Sequence, residues 1–145
     1  MANKFVSGEE ELIRKLQNLQ TEVPGGMGKA MLAGAFVLEG FIKQSMQEGH
    51  HGRIYRRGGK VHQASAPGET PAVDFGNLIN SIDSSLLDNN ASQVTTNADY
   101  APALEFGTAR MAARPFMRPA VDEHEGEVIS AVRATILRLV EGATR

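Results

Sequence analysis

The chain has no cysteine and no tryptophan, and aromatic residues make up only 6% of it. The missing cysteine excludes disulfide staples, thiolate metal sites and thiol nucleophiles together. There is no charge excess either. Fifteen Lys and Arg stand against 17 Asp and Glu, a formal net charge of −2, so no global field announces nucleic acid or a membrane surface. No uninterrupted apolar run approaches the roughly 18–20 residues of a membrane span. The opening MANKFVSGEEELIRK lacks an apolar signal-peptide core, so the sequence predicts a chain kept in the cytosol, with no membrane partner. What is present suits one globular domain: 145 residues, 41% of them hydrophobic.

Ser7 to Gln20 reads as an amphipathic helix. Ser7 and Glu10 form a capping-box pair, and Leu12, Ile13, Leu16 and Leu19 share one face. Val23-Pro24-Gly25-Gly26 is expected to stop this helix, and a second is expected from about Gly28 to Gln47. Its stripe of Ala30, Met31, Val37, Leu38, Phe41 and Ile42 is widened by Leu32, Ala33 and Phe36. So wide a stripe implies burial on two sides, the second being either a sheet or a neighbouring subunit. Gly34 and Gly40 would allow close backbone approach.

The character changes over residues 49–71. Arg53, Arg56, Arg57 and Lys60 fall in eight residues, no acid precedes Glu69, and Gly and Pro recur throughout. A connection this long inside a small domain is usually functional or disordered. Short strands at Arg53–Arg56 and Lys60–Gln63 around Gly58-Gly59 would make it a protruding, exposed basic arm. Its cations suit phosphates, with Tyr55 available for base stacking, and they equally suit a solvated loop.

Leu78 to Leu87 alternates, with Leu78, Ile82 and Leu86 on the inner face. Asp88-Asn89-Asn90-Ala91 turns the chain, and residues 92–97 return as the second strand. A short helix over Tyr100–Phe106, capped by Asp99 and ended by Gly107, follows. The last helix begins between Pro115 and Pro119 and runs to about Val140, with Gly142 available to end it. Val121, Val128, Val132, Ile136, Leu139 and Val140 form its stripe, and Asp122, Glu123 and Glu125 complement the positive end of its dipole. These elements predict an α+β domain over residues 1–145: two N-terminal helices, a long basic arm, a small antiparallel sheet and a C-terminal helix.

Candidate chemistry is thin. His50 and His51 are adjacent and point apart, His62 lies beyond a Gly-Gly, and His124 sits among acids, so none has metal-ligand spacing. The acids from Asp122 to Glu127 radiate from their helix without a partner. Ser81, Ser84 and Ser85 lack a nucleophile-elbow pattern. Gly25-Gly26-Met27-Gly28-Lys29 lacks phosphate-loop spacing, since Ala30 follows the lysine. No catalytic, cofactor-binding or metal-binding residue is assigned, and no enzyme is expected.

Three co-linear stretches do carry a resemblance: residues 62–82 (HQASAPGETPAVDFGNLINSI), Tyr100–Thr108 (YAPALEFGT) and Met111–Glu123 (MAARPFMRPAVDE). Together with Gly52 and Tyr55 upstream, they resemble the tail-component family of long-tailed bacteriophages, the tail-completion or head–tail joining proteins. The resemblance covers residues 50–125 and extends loosely over the chain. It implies a structural virion protein of the neck or head-proximal tail, without cofactors, assembled in the bacterial host cytoplasm. It implies a homo-oligomeric ring around packaged DNA, a hexamer favoured over a dodecamer, between a head stopper or connector and a tail terminator or tail tube.

On that reading Arg53, Tyr55, Arg56, Arg57 and Lys60 face the DNA lumen or an adjoining ring. Arg114 and Arg118 either pair with acids of a neighbouring subunit, with Glu105 as the candidate, or stay solvated. Phe106 and Phe116 are expected to be core anchors. The alternatives are a tail terminator or other minor tail protein and, in a different class, a free nucleic-acid-binding protein using the basic arm.

Overall fold

The structure, a computed structural model, describes residues 8–145. In chain order the elements are α1 (Glu9–Gln47), β1 (Ile54–Arg57), β2 (Lys60–Gln63), α2 (Asn77–Ser81), β3 (Ile82–Asp88), β4 (Ala91–Thr96), α3 (Ala101–Phe106) and α4 (Met117–Ala143). This is an α+β chain, as its patterning predicts.

The first correction concerns the N-terminal helices, which are one. α1 runs unbroken for 39 residues with Pro24 inside it. A proline there forfeits one backbone hydrogen bond and strains the turn before it, at a cost of about 3 kcal/mol. Packing directly beyond it supplies the offset. Gly26, Ala30 and Gly34, spaced by four, are all buried. A Cβ at Gly26 would lie 2.6 Å from Leu139, and one at Gly34 would lie 2.7 Å from Val132. The small residues therefore let α4 lie close against α1, and that contact fixes the helix on the far side of the proline. Gly40, expected to do the same, has open space around it. The capping box of Ser7 lies partly outside the described residues; Gly8 is the N-cap, without a side-chain cap bond.

The wide stripe of α1 is covered on two sides within the one chain, by α4 and by the β3–β4 hairpin, except at Phe36, expected to widen it, which stands 55% exposed. Ser92 Oγ donates to the Met31 carbonyl at 2.8 Å, and Ser84 Oγ donates to Glu39 at 2.6 Å. Burial pushes the Glu39 carboxyl up, but its hydrogen bonds with Lys43 and Ser84 outweigh this and leave it lowered. Where α1 meets the hairpin, α3 and the start of α4, the core gathers Ile42, Met46, Ile82, Ala101, Phe116 and Ala120, with Leu38, Val94 and Leu104 packed against it.

Four local expectations need correcting. The strand expected from Leu78 begins instead at Ile82, because Gly76, in the left-handed region at φ 82°, starts the short helix α2. Spacings of four between Leu78, Ile82 and Leu86 satisfy a helix and a strand alike. Leu86 is half exposed, at a shift in strand register between Leu86 and Asp88. Tyr100 rather than Asp99 is the N-cap of α3, without a side-chain bond. α4 passes through Gly142 to Ala143, and Asp122, Glu123 and Glu125 fall beyond its first turn, which holds no acid.

α1 also contains an 18-residue stretch long and apolar enough, by composition, to cross a membrane. Here it packs against α4 and the hairpin.

Candidate interaction surfaces

The basic segment forms a hairpin whose register pairs Ile54 with Gln63, Tyr55 with His62, Arg56 with Val61 and Arg57 with Lys60. Gly58 and Gly59 both have positive φ, 54° and 83°, as a two-residue turn between right-twisted strands requires. Alternation puts Arg53, Tyr55, Arg57, Lys60 and His62 on one face and Ile54, Arg56 and Val61 on the other. The guanidinium carbons of Arg53 and Arg57 lie 5.5 and 5.9 Å from the Tyr55 ring centre. The ring is thus already engaged by two cations. Arg57 also reaches Asp74 at 3.5 Å, and His62 stands 4.0 Å from the same carboxylate. The five expected contact residues are therefore exposed and on one hairpin, with Arg56 turned to the opposite face.

The base of the hairpin is clamped. Gly52 N–H donates to the Ala64 carbonyl at 2.9 Å, and Ala64 N–H to the Arg53 carbonyl at 3.0 Å. A Cβ at Gly52 would meet that Ala64 oxygen at 2.4 Å, so only glycine fits. Beside it the Glu69 carboxylate accepts from the backbone N–H of Ala66 at 2.7 Å and of His51 at 3.1 Å, and pairs with His51 Nδ1 at 2.7 Å. The Ala66 and His51 amides, then the His51 ring, hold this carboxyl down to about 2. Residue patterning does not single out Glu69; its position after Pro67-Gly68, where a turn brings its side chain back to Ala66, is the available signal.

Of the third group, expected to join subunits, Glu105 and Arg114 use their side chains within the chain, and Arg118 contributes its backbone N–H alone. Glu105, at the end of α3, accepts from the backbone N–H groups of Phe116, Met117 and Arg118 at 2.8, 3.0 and 3.0 Å. It thereby supplies the negative charge and the acceptors that the start of α4 lacks on its own side chains. Arg114 N–H donates to the Leu104 carbonyl at 2.7 Å, and its Nε donates to the Ser65 carbonyl at 3.3 Å. Gly68 N–H donates to the Ala113 carbonyl at 2.9 Å. Gly107, at φ 74°, packs where a Cβ would come within 2.9 Å of Met111 and Ala113 backbone atoms. Phe116 is buried as expected. Phe106 is not: it stands 74% exposed beside an open groove of about 860 Å³ bordered by Ala98, Pro102, Met117 and Val121.

Further apolar side chains among the described residues are uncovered on the helices. Leu12, Ile13 and Leu16 of α1 are about half exposed or more. A second, almost wholly apolar groove of about 470 Å³ runs between Met31 of α1 and Val128, Ile129, Val132, Ile136 and Leu137 of α4.

His50 Nε2 lies 3.1 Å from the Met46 carbonyl, and His124 stacks on Phe41. Among the described residues, no three His, Asp or Glu side chains are placed to hold a metal ion. Comparison with family models, with curated proteins and with solved structures finds no match to this chain.

Proposed function

We propose that this chain is a structural protein of a bacteriophage neck or tail, which completes the head-proximal end of the tail as a ring and makes it competent to join a DNA-filled head. The observation that carries the reading is the convergence of the three stretches on which the resemblance rests. Gly68, Leu104, Glu105, Ala113, Arg114 and Phe116 belong to different stretches and are joined by direct hydrogen bonds into one unit. The matched residues thus have the interdependence expected of a family's structural signature, with Gly107 required by its backbone conformation and Glu105 capping the start of α4.

A hexamer around the DNA channel is the favoured form, by analogy with six-fold tails, and a dodecamer is the alternative. The basic hairpin then faces packaged DNA or an adjoining ring. A tail terminator or other minor tail protein is the neighbouring reading.

Mass spectrometry of purified virions, and of separated heads and tails, tests the proposal. A few copies per particle, enriched with the tail or neck, support it. Complete absence from mature particles overturns it and brings forward a free nucleic-acid-binding role for the hairpin.

A further inference from the structure

α1 is longer than the helix that covers it. Gly26 lies against Leu139, Gly34 against Val132 and Phe41 against His124, so the two helices run antiparallel in a fixed register. Four residues past Leu139, α4 ends, about level with residue 22 of α1. The first three turns of α1 therefore project beyond it. On this overhang Leu12, Leu16 and Leu19 continue the same stripe as Val23, Gly26 and Ala30, at alternating spacings of four and three. The α4-facing stripe thus goes on for roughly 15 Å after α4 has stopped. Leu12 and Leu16 are 58% and 55% exposed.

The chain also carries a complement to that ridge. The apolar groove between Met31 and the Val128–Leu137 stretch of α4 is walled by Ile129, Arg133 and Leu137, one i±4 row, and floored by Val128, Val132 and Ile136. It extends about 14 Å, against about 10 Å from Leu12 to Leu19. Rows of this kind accept the ridge of another helix. Charge is compatible as well: with Glu11 paired to Lys15, the overhang keeps Glu9 and Glu10 at its tip against Arg14, a net negative ridge, and the exposed Arg133 stands on the groove wall. The overhang cannot enter its own groove, because α1 is continuous through Pro24 and borders that groove some 22 Å further along.

We propose that the α1 overhang of one copy docks into the α1–α4 groove of the next, a head-to-tail contact between copies of this chain. Such a contact uses two different surfaces, so it propagates and closes into a ring when the rotation per step allows. A helix this short covers only part of the roughly 800 Å² per partner of a standard interface, so each contact is weak and the ring is held by their number. The inference rests on the ring of the proposed function for its biological sense, and on the two surfaces for its physical one.

Sedimentation velocity from about 10 µM to about 1 mM tests it, using the full chain, Leu12→Glu/Leu16→Glu and Ile129→Glu/Leu137→Glu. All four positions are exposed, and circular dichroism verifies folding. The mass of the unmodified protein rises with concentration, and each double variant stays monomeric alone. An equimolar mixture of the two variants forms a one-to-one dimer and nothing larger, because only one intact ridge and one intact groove remain. A monomeric unmodified protein at every concentration overturns the proposal, as does a mixture that stays monomeric. A groove variant that assembles like the unmodified protein also overturns it, because the groove is then not the partner surface. A chain present in virions yet monomeric would sink the docking alone; one that docks as described yet is absent from virions would sink the functional reading alone.

Discussion

The His124 imidazole lies flat on the Phe41 ring, with centroids 3.6 Å apart and planes within 1°. His124 is also where α4 leaves helical geometry, at φ −119° and ψ 17°. The bend and the stack thus occur at one residue, which ties the course of α4 to a side chain of α1. Replacing His124 with Ala is expected to destabilise the fold by about 1 kcal/mol, while Phe recovers most of the loss. Urea denaturation measures both, and an unchanged midpoint for H124A would mean the stack does not hold the bend.

Glu105 makes the start of α4 dependent on the end of α3. Glu105→Ala leaves three amides of the first turn without their acceptor and is expected to cost about 2 kcal/mol. Glu105→Gln keeps one carbonyl oxygen and should fall between. If both variants match the original protein in chemical denaturation, the cap is not stabilising.

Glycines in α1 are expected to divide by position. A Cβ at Gly25 would meet nothing within 4 Å, so Gly25→Ala gains helix propensity and stabilises by about 0.5–1 kcal/mol. Gly34→Val drives its side chain into Val132 and is expected to destabilise by about 1–3 kcal/mol. Thermal melts of the two variants should move in opposite directions; a shared direction would contradict the close approach of α4.

The Glu69 clasp gives a pH dependence of definite sign. Its carboxyl falls from 4.5 to about 2 on folding, held by the Ala66 and His51 amides and the His51 ring. A lowered carboxylate contributes stability above its unfolded value and loses it as pH falls through the folded one. The stability difference between the unmodified chain and Glu69→Gln should therefore be present in full above about 4.5 and shrink from there toward about 2. A difference that does not shrink between about 4.5 and about 2 would refute the clasp.

The hairpin should be separable from the fold, since Ile54–Arg57 and Lys60 are exposed and the base is clamped at Gly52 and Ala64. Replacing residues 54–63 with a short Gly-Ser turn is expected to leave the melting temperature within a few degrees and, on the proposed function, to reduce head–tail joining. Normal titres of infectious particles from the arm-deleted protein would remove the hairpin from that role. Duplex DNA binding that weakens steeply with salt would instead favour the nucleic-acid reading.

Much of this architecture is legible along the chain because its signals are local. Gly58-Gly59 between short β-prone runs specifies a hairpin through backbone conformation alone, and Gly107 ends α3 for the same reason. Periodicity places α4 and the inner residue Ile82. Where the outcome depends on partners distant in sequence, local signals mislead. Val23-Pro24-Gly25-Gly26 reads as a stop, yet Leu139, more than a hundred residues away, packs on Gly26 and the helix continues. Glu105 and Arg114 look like groups awaiting another subunit, yet the amides of α4 and the Ser65 carbonyl are their partners. Phe106 has the composition of a core residue, and only the direction in which α3 leaves the core turns it outward. Sequence alone thus determined the elements whose stability is a property of neighbouring residues. Tertiary structure decided helix continuity, the partners of the charged groups and which apolar faces stay open, because each depends on desolvation by segments that meet only in the fold.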